Sequence, residues 1–454
     1  SERLKLTIGA HLDHITADTL KPFMDAQACK PGKVTTGAAP GRVQAAILRL
    51  MLEDARSVIA QKDKKRIWAV FKVGDQVFHA RLVDQAEERD TTDGHNVEAL
   101  LRRLKGQPTT LLGAPRKITE RVPVPSADTL SIMVEAWQRY KLAPWDTMLA
   151  LQALYDGSWS GGGSAGARTA TYLDPSSPIT PPFTGTGHPP VTPLDAVLEP
   201  QIIASVIANR DWTSIYQIIW DRYYAGLGED KTVVSMTLEM KLPPIGKQQR
   251  QFLLRFNDEA CVDGNEREQA LLIHIPDRNR HNNPDRLAAA WRQLSQVEPE
   301  YQVEAAAQWT LSYDSLLRSM QAHQIGRPST YASTLKKMVE HRLITQPVDS
   351  GVIRLTATGL ATALVLEQHE AVLSAPRFTR MFSDELAEIE SGKKTPAQVL
   401  GRLIPDLLPE CQDPGALTAR IWNSLEELEL AMAQGSPVAY AAGLISSRKS
   451  THLS

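Results

Sequence analysis

The sequence predicts an α+β protein, in which helical segments at both ends of the chain flank two blocks of strand-like segments. Apolar residues recur with helical spacing in residues 4–53 and 128–155, and again from residue 313 onward. Apolar and polar residues alternate in residues 68–82 and 232–256, as in half-buried strands. With 42% hydrophobic residues among 454, the chain can bury several separate cores.

Composition excludes several classes of protein. The sequence has no run of about 20 apolar residues, so we expect a cytoplasmic protein with no membrane partner. Cys29, Cys261 and Cys411 lie far apart without a CxxC pair, which argues against a disulfide framework or a structural zinc site. The net charge of −2 does not by itself indicate a nucleic-acid-binding protein.

The first elements follow from local signals. A loop containing proline and glycine in residues 30–40 precedes a helix that we expect to begin near Gly41. The alternating segments 68–73 and 77–82 are joined by Gly74 and Asp75, a pattern typical of a β-hairpin. A strand layer therefore begins near residue 67.

The middle of the chain alternates between helical and loop-like composition. Residues 128–155 are helical, with Ser126 or Asp128 as the cap and a junction at Pro144. Residues 158–193 are rich in Gly, then in Ser, Thr and Pro, a composition that predicts mostly loop. A helix over residues 204–224 and strands over 232–240 and 250–256 follow.

A helical pair over residues 313–320 and 331–342 is joined by a turn at 324–330. Within this turn, Pro328, Ser329 and Thr330 open the second helix, whose first N–H groups have no partner within the helix. Arg327 adds a fixed positive charge, and the combination suits a DNA phosphate. An ordinary capped helix with a solvent-facing arginine would give the same pattern, so the turn alone leaves both interpretations open.

The segment 325–332, IGRPSTYA, resembles a signature of type IA DNA topoisomerases. Three further segments resemble that family and occur in its order: GRVQ at 41–44, LYDG at 154–157, and the segment 378–394, which contains DELAEIESGKK. These matches span almost the whole chain. The resemblance implies the toroidal fold of the family, with helical base domains and a strand-rich arch.

The nucleophilic tyrosine of the family falls within residues 158–193. The segment 170–177, ATYLDPSS, aligns best with the family's tyrosine motif, which makes Tyr172 the candidate nucleophile. A rival alignment pairs Arg168 and Thr169 with the motif's Arg-Thr, places Gly166 at the nucleophile position and predicts an inactive site.

Two positions depart from the family pattern. Asp174 stands where the family has an arginine two residues after the tyrosine, and Thr192 stands at the arginine of its HEAIRPT motif. His188 keeps the histidine of that motif. Only residues 173–187 separate Tyr172 from His188, so the tyrosine-bearing domain is predicted to be shortened.

The resemblance implies six regions, which follow the family's domain order. They are a helical domain after the Toprim domain (1–66), the first part of the arch (67–125), a helical lead-in (126–157), a shortened tyrosine-bearing domain (158–200), the second part of the arch (201–310) and a helical domain with the IGRPST-like motif (311–454).

The resemblance also implies an activity. The tyrosine of the family cleaves one DNA strand, becomes linked to its 5′ phosphate, and reseals the strand after another has passed, without ATP. Relaxation of negatively supercoiled DNA or decatenation follows. Tyr172, Arg42 and His188 are the implied catalytic residues; the implied contacts to single-stranded DNA are Arg42, Gln44, Arg327, Ser329 and Thr330.

The family binds Mg²⁺ in an N-terminal Toprim domain, and we find no equivalent acidic motif in this sequence. We therefore expect a Toprim-containing segment or subunit to supply the metal site, and this chain alone to be impaired in cleavage. The changes at Asp174 and Thr192 motivate an alternative, a non-catalytic, topoisomerase-derived subunit that binds single-stranded DNA. A helical scaffold protein unrelated to DNA is a third interpretation.

Overall fold

The computed structural model describes residues 40–86, 88–124, 127–157, 170–172, 190–195, 198–246, 249–261, 284–306, 309–346, 351–369, 374–394 and 398. Within these residues the chain forms two helical cores and one large antiparallel sheet, which confirms the predicted α+β class. No helix in the described part of the chain is both long enough and apolar enough to cross a bilayer.

The described helices lie mainly at the two ends of the chain and between the two blocks of strands. They are α1 (Arg42–Ala60), α2 (Val97–Leu104), α3 (Thr129–Tyr140), α4 (Pro144–Asp156), α5 (Pro200–Val206), α6 (Arg210–Leu227), α7 (Pro284–Leu294), α8 (Tyr313–Ala322), α9 (Pro328–Glu340), α10 (Ala357–His369) and α11 (Pro376–Glu390).

The described strands form an eight-stranded sheet and a separate pair. They are β1 (Lys64–Val73), β2 (Gln76–Asp84), β3 (Thr91–Asp93), β4 (Thr110–Leu111), β5 (Arg116–Val122), β6 (Ala170–Tyr172), β7 (Val191–Pro193), β8 (Lys231–Lys241), β9 (Phe252–Cys261) and β10 (Glu300–Ala305). The main path of the large sheet is β10-β1-β2-β9-β8-β4, with β3 paired to β1 and β5 paired to β8.

The predicted hairpin is confirmed. Strands β1 and β2 pair antiparallel with Phe71 opposite Phe78, and the connecting Gly74 has a φ of 58°. A positive φ is costly for residues with a Cβ, so glycine at this turn position allows the tight reversal.

The two blocks of strands join in one sheet because β2 pairs with β9 along the register Arg81–Arg255 to Asp84–Phe252. One face of the sheet is apolar and carries Phe71, Phe78 and Phe256 among its buried residues. Helices α2 and α7 contribute Leu104 and Leu287 to the same core. The amphipathic alternation of the strands thus produces a single core from segments about 150 residues apart in sequence.

Strands β3, β4, β5 and β10 were not predicted from the sequence. Strand β5 shows why, since its first six residues are exposed and the strand reads RKITERV. A strand with both faces in water lacks the apolar alternation by which strands are recognised. It is held instead by backbone pairing with β8, from Arg116 opposite Thr237 to Val122 opposite Lys231.

The first helical core packs α1, α3, α8, α9 and α10 together. Edge-to-face aromatic contacts hold this core together. The centroid of the Tyr313 ring lies 5.0 Å from that of Trp137 and 5.5 Å from that of Trp145, and both ring pairs are nearly perpendicular. The helix predicted near Gly41 is confirmed, with Gly41 in extended backbone as its N-cap. The two ends of the described chain therefore share a core.

The second helical core lies between α3, α4, α5, α6 and strand β7. Of the two predicted caps for α3, Asp128 is observed, accepting a hydrogen bond of 2.6 Å from the Ser131 N–H, while Ser126 lies outside the described residues. The helical character predicted over residues 204–224 is confirmed for residues 204–206 and 210–224, but the chain is not one continuous helix. The chain leaves the helix after Val206 and restarts at Arg210, where the Asn209 side chain accepts from the next N–H groups.

Helices α5 and α6 pack in this second helical core, whereas strands β8, β9 and β10 and helix α7 belong to the large sheet and its core. The six domain boundaries remain a prediction. Residues 401–454 of the last predicted domain lie outside the described residues.

Gly359, near the start of α10, is required by close packing. A Cβ at this position would lie 1.8 Å from the backbone oxygen of Leu343. We therefore expect Gly359→Ala to lower the free energy of unfolding by about 1–3 kcal/mol, measured by urea denaturation, because α10 must move away from Leu343. Gly228→Ala is the matched control: its Cβ would meet Ala225 O at 3.4 Å, an ordinary contact, and its φ of −77° suits alanine. Equal shifts for the two variants would contradict the packing argument.

Candidate functional site

The GRVQ-like segment forms the first turn of α1. Arg42 is the first residue of this helix, and its guanidinium carbon lies 4.5 Å from the centroid of the Phe382 ring on α11. Phe382 is fully buried, so the ring is a fixed platform for the cation. Such cation–π contacts contribute about 0.5–2 kcal/mol and orient the guanidinium. Gln44 lies in the same turn and is half-buried.

The IGRPST-like turn packs directly on this first turn of α1. Gly326 has a φ of 73°, and a Cβ placed there would lie 3.3 Å from Val43 Cγ1. Arg42 precedes Val43, and Arg327 follows Gly326. The contact therefore brings the backbones of the two predicted phosphate-binding arginines to neighbouring positions, although residues 45–324 separate their segments.

The turn itself is a capped helix start. Pro328 occupies the first turn of α9, where its missing N–H costs nothing. The Thr330 hydroxyl donates to the Arg327 carbonyl at 2.9 Å and accepts from the Arg327 N–H at 3.3 Å. Arg327, Ser329 and Thr330 are all exposed. The Thr330 hydroxyl thus holds the turn, while the side chain of Arg327 faces solvent at the positive end of the helix dipole.

Two buried residues anchor this turn. Ile325 is fully buried and Tyr331 is 2% exposed, both in the first helical core. Burial raises the pKa of the Tyr331 phenol to about 12. A buried phenol with a raised pKa stays protonated at neutral pH and is a poor nucleophile. Tyr331 therefore has a packing role.

Tyr172 lies at the end of β6, where its backbone pairs with Val191 of β7. The Val191 N–H in turn donates a hydrogen bond of 2.8 Å to the carbonyl oxygen of Ala127, just before α3. Nothing is described of the Tyr172 side chain. His188, Asp174 and the rival nucleophile position Gly166 lie outside the described residues.

Thr192, the second departure from the family pattern, is 6% exposed on β7 and lies opposite Thr171. A side chain enclosed at this depth does not face a solvent-accessible DNA strand. Its position in β7 places it beside the second helical core, to which Val191 also belongs.

The tyrosine-bearing strand and the arginine turn are connected through one helix. Helix α4 contacts β6 and also contacts α9, which begins at Pro328. Helix α4 ends at Gly157, the glycine of the LYDG segment, in left-handed backbone with a φ of 72°. The LYDG glycine therefore terminates the helix that lies between the two predicted parts of the site.

Arg49, in the same helix as Arg42, has a different role. Its guanidinium bonds Glu53 at 2.8 Å and Glu367 at 2.7 Å, and Arg56 also reaches Glu367 at 2.5 Å. These pairs fasten α10 to α1. The sequence did not single out Glu367 or the contact of Phe382 with Arg42. Both partners are more than 300 residues away, and no local pattern identifies such pairs.

The described residues contain no cluster of three or more His, Cys, Asp or Glu side chains able to hold a metal ion. This part of the chain therefore does not fit the Mg²⁺ site of the family, and we assign it no metal ligands. The expected supply of Mg²⁺ from a Toprim-containing segment remains a prediction.

The fold and the ordered motifs define a protein of the type IA topoisomerase class. A solved structure of full-length topoisomerase I from Thermotoga maritima superimposes with a TM-score of 0.61 at 19% identity, over 88% of this chain and 67% of that one. The family model described as DNA topoisomerase matches residues 164–401, more than half of the chain. The chain belongs to this DNA topoisomerase family.

Similar curated proteins carry the name DNA topoisomerase 1. The Helicobacter pylori protein is 22% identical over 410 residues, covering 81% of this chain and 52% of its own length. The Synechococcus elongatus protein is 25% identical over 435 residues, covering 84% of this chain and 47% of its own length. The chain thus spans about half the length of the curated relatives it matches.

Proposed function

We propose that this chain is the strand-cleaving and strand-passing core of a type IA topoisomerase acting on DNA, with Tyr172 as nucleophile. Family membership supports the class of reaction. The main support for the proposed site is the packing of Gly326 against Val43, which brings the backbone segments that carry Arg327 and Arg42 into contact. Single-stranded DNA is the proposed substrate, and no membrane is involved.

In the proposed reaction the Tyr172 oxygen attacks a backbone phosphorus and forms a 5′-phosphotyrosine bond, while the bond to the 3′ oxygen breaks. The phenol proton ends on the released 3′ hydroxyl, with His188 as hydrogen-bond partner or proton shuttle. Resealing is the reverse transfer, and the energy of the phosphodiester is conserved throughout. A second strand passes while the first is open, which would relax negatively supercoiled DNA or decatenate it.

The arginines stabilise the charge that develops on the phosphate. A tyrosine with a pKa near 10 is a weak nucleophile at neutral pH, so nearby cations lower the barrier. Arg42 is oriented by the Phe382 ring, and Arg327 stands at the start of α9 with the first N–H groups of that helix. Gln44, Ser329 and Thr330 are proposed to complete the contacts to the strand.

The Mg²⁺ that the family requires is proposed to come from a Toprim-type segment or subunit. Magnesium would neutralise phosphate charge next to the tyrosine when bound there. The described residues themselves bind and orient the DNA strand.

The DNA contact is tested with Arg327→Ala, for which we expect about tenfold weaker binding of a fluorescent single-stranded oligonucleotide, because a phosphate contact is lost. Fluorescence anisotropy at fixed salt measures the change. Arg342→Ala is the matched control, since Arg342 is also exposed but follows the other end of α9, about 20 Å away. Equal loss in both variants, or none in either, would overturn the placement of DNA at this turn.

A further inference from the structure

A cavity of about 620 Å³ lies on the large sheet, away from the arginine turn. It is formed where β1 begins, where β2 ends, by α2, and by the connection between β8 and β9. Its volume falls within the range of small-molecule sites. None of the residues assigned to strand cleavage contributes to it.

The lining of this cavity is net positive among the described residues. Lys64, Arg89, Arg103 and Arg250 line it, together with two carboxylates. Both carboxylates are paired within the cavity: Asp84 with Arg250, and Asp93 with Lys64. Since both acids are already paired with other cations, the charge of Arg103 favours an anionic ligand.

Arg103 is the cation most available to such a ligand. In the part of the chain that the structure describes, no carboxylate lies within 4.0 Å of its guanidinium. One of its terminal nitrogens is 2.8 Å from the position of a Cβ at Gly246, where φ is 78°. The glycine therefore lets the guanidinium lie against the cavity wall. The neighbouring Arg102 is instead paired with Glu98 at 3.5 Å and does not line the cavity.

Part of the cavity lining is apolar. Leu82, Leu100, Ile245 and Phe252 contribute to it, and the Arg250 guanidinium carbon lies 5.9 Å from the Phe252 ring centroid. A lining that combines apolar side chains with cations suits a ligand with an uncharged ring system and a phosphate. A phosphate alone would use only the cations.

We propose that this cavity binds a nucleotide unit of single-stranded DNA, with its phosphate at Arg103 and its base or sugar against the apolar side chains of the lining. The assignment of the ligand to DNA rests on the proposed function. The cavity would hold the strand at the sheet, at a place separate from the cleavage site, and thereby guide it during passage.

The experiment uses the full chain and compares Arg103→Glu with Arg102→Glu. These variants make the same charge change at neighbouring positions of α2. Binding of a fluorescent oligothymidylate is measured by anisotropy across a salt series, and binding of free dTMP by calorimetry. We expect Arg103→Glu to weaken DNA binding about tenfold and to reduce the slope of log K against log salt by about 0.7, while Arg102→Glu stays within about twofold of wild type. Thermal unfolding confirms that both variants are folded.

Four outcomes are informative. Selective loss in Arg103→Glu of both DNA and dTMP binding supports the proposal. Selective loss of dTMP binding alone would keep the cavity as a phosphate site but overturn its assignment to the DNA strand. Equal effects of Arg103→Glu and Arg102→Glu would overturn the cavity itself. Loss in Arg103→Glu without any effect of Arg327→Ala would retain the cavity while contradicting the proposed cleavage site.

Discussion

Tyr172→Phe is expected to abolish the covalent protein–DNA adduct, because phenylalanine has no oxygen to attack the phosphate. The measurement is denaturing electrophoresis of a 3′-end-labelled single strand after incubation with the chain, a Toprim-containing segment and Mg²⁺. A label at the 3′ end is needed because the 5′-phosphotyrosine bond retains the downstream fragment. The wild-type chain should give a slowly migrating band, and the variant none above background.

Tyr331→Phe is the matched control, since Tyr331 belongs to the other recognised motif but is 2% exposed in the first helical core. It should keep the adduct. An adduct that survives in Tyr172→Phe would disprove the assignment of the nucleophile. If the wild-type chain forms no adduct under these conditions, cleavage is excluded for it and the alternative of a non-catalytic DNA-binding subunit is favoured.

Arg222→Met is expected to lower the free energy of unfolding by about 3 kcal/mol, at the low end for a broken buried ion pair, because it removes one of the two cations that bond a buried carboxylate. Arg222 Nε donates to Glu135 at 2.6 Å, and both side chains are only 7% exposed. Arg139 bonds the other oxygen of Glu135 at 2.6 Å, and also Asp221 at 3.4 Å. The network joins α3 to α6. The free energy of unfolding is measured by urea denaturation, with tryptophan fluorescence as the signal.

The control is Arg121→Met, which removes an exposed pair with Glu229 in which the side chains are 57% and 92% exposed. A surface pair of this kind contributes about 0–1 kcal/mol. The double variant Glu135→Met with Arg222→Met should recover much of the loss, because no unpaired charge remains. If Arg222→Met and Arg121→Met destabilise the protein equally, the buried ion pair contributes no more to the free energy of unfolding than the exposed pair does, which would contradict the prediction.

Local structure could be predicted where a short pattern has one physical solution. Gly74 and Asp75 between alternating segments predicted the β1–β2 hairpin, and the polar residues before an apolar periodic segment predicted a cap for α3 at Ser126 or Asp128, of which Asp128 is observed. The break at Asn209 was missed because the apolar residues on either side keep helical spacing. Strand β5 was missed because its first six residues are exposed and its side chains do not alternate between apolar and polar.

The candidate site could be predicted only in part. The motif resemblance identified Arg42, Gln44, Arg327, Ser329 and Thr330, and the structure brings the segments that carry them into contact. It did not predict that the Thr330 hydroxyl is engaged by the Arg327 backbone. Tyr172 is placed by the backbone of β6 alone, and His188 lies outside the described residues, so their roles stay predictions.

The sequence by itself determined the α+β class, the family and the local shape of the IGRPST-like turn, because each is read from short segments and from their order along the chain. Only the tertiary structure decided that Phe382 lies beneath Arg42 and that Val43 lies against Gly326. These contacts join residues hundreds of positions apart, and packing of buried surfaces from several helices selects them. The position of Arg103 against Gly246, and with it the cationic cavity on the sheet, was decided in the same way.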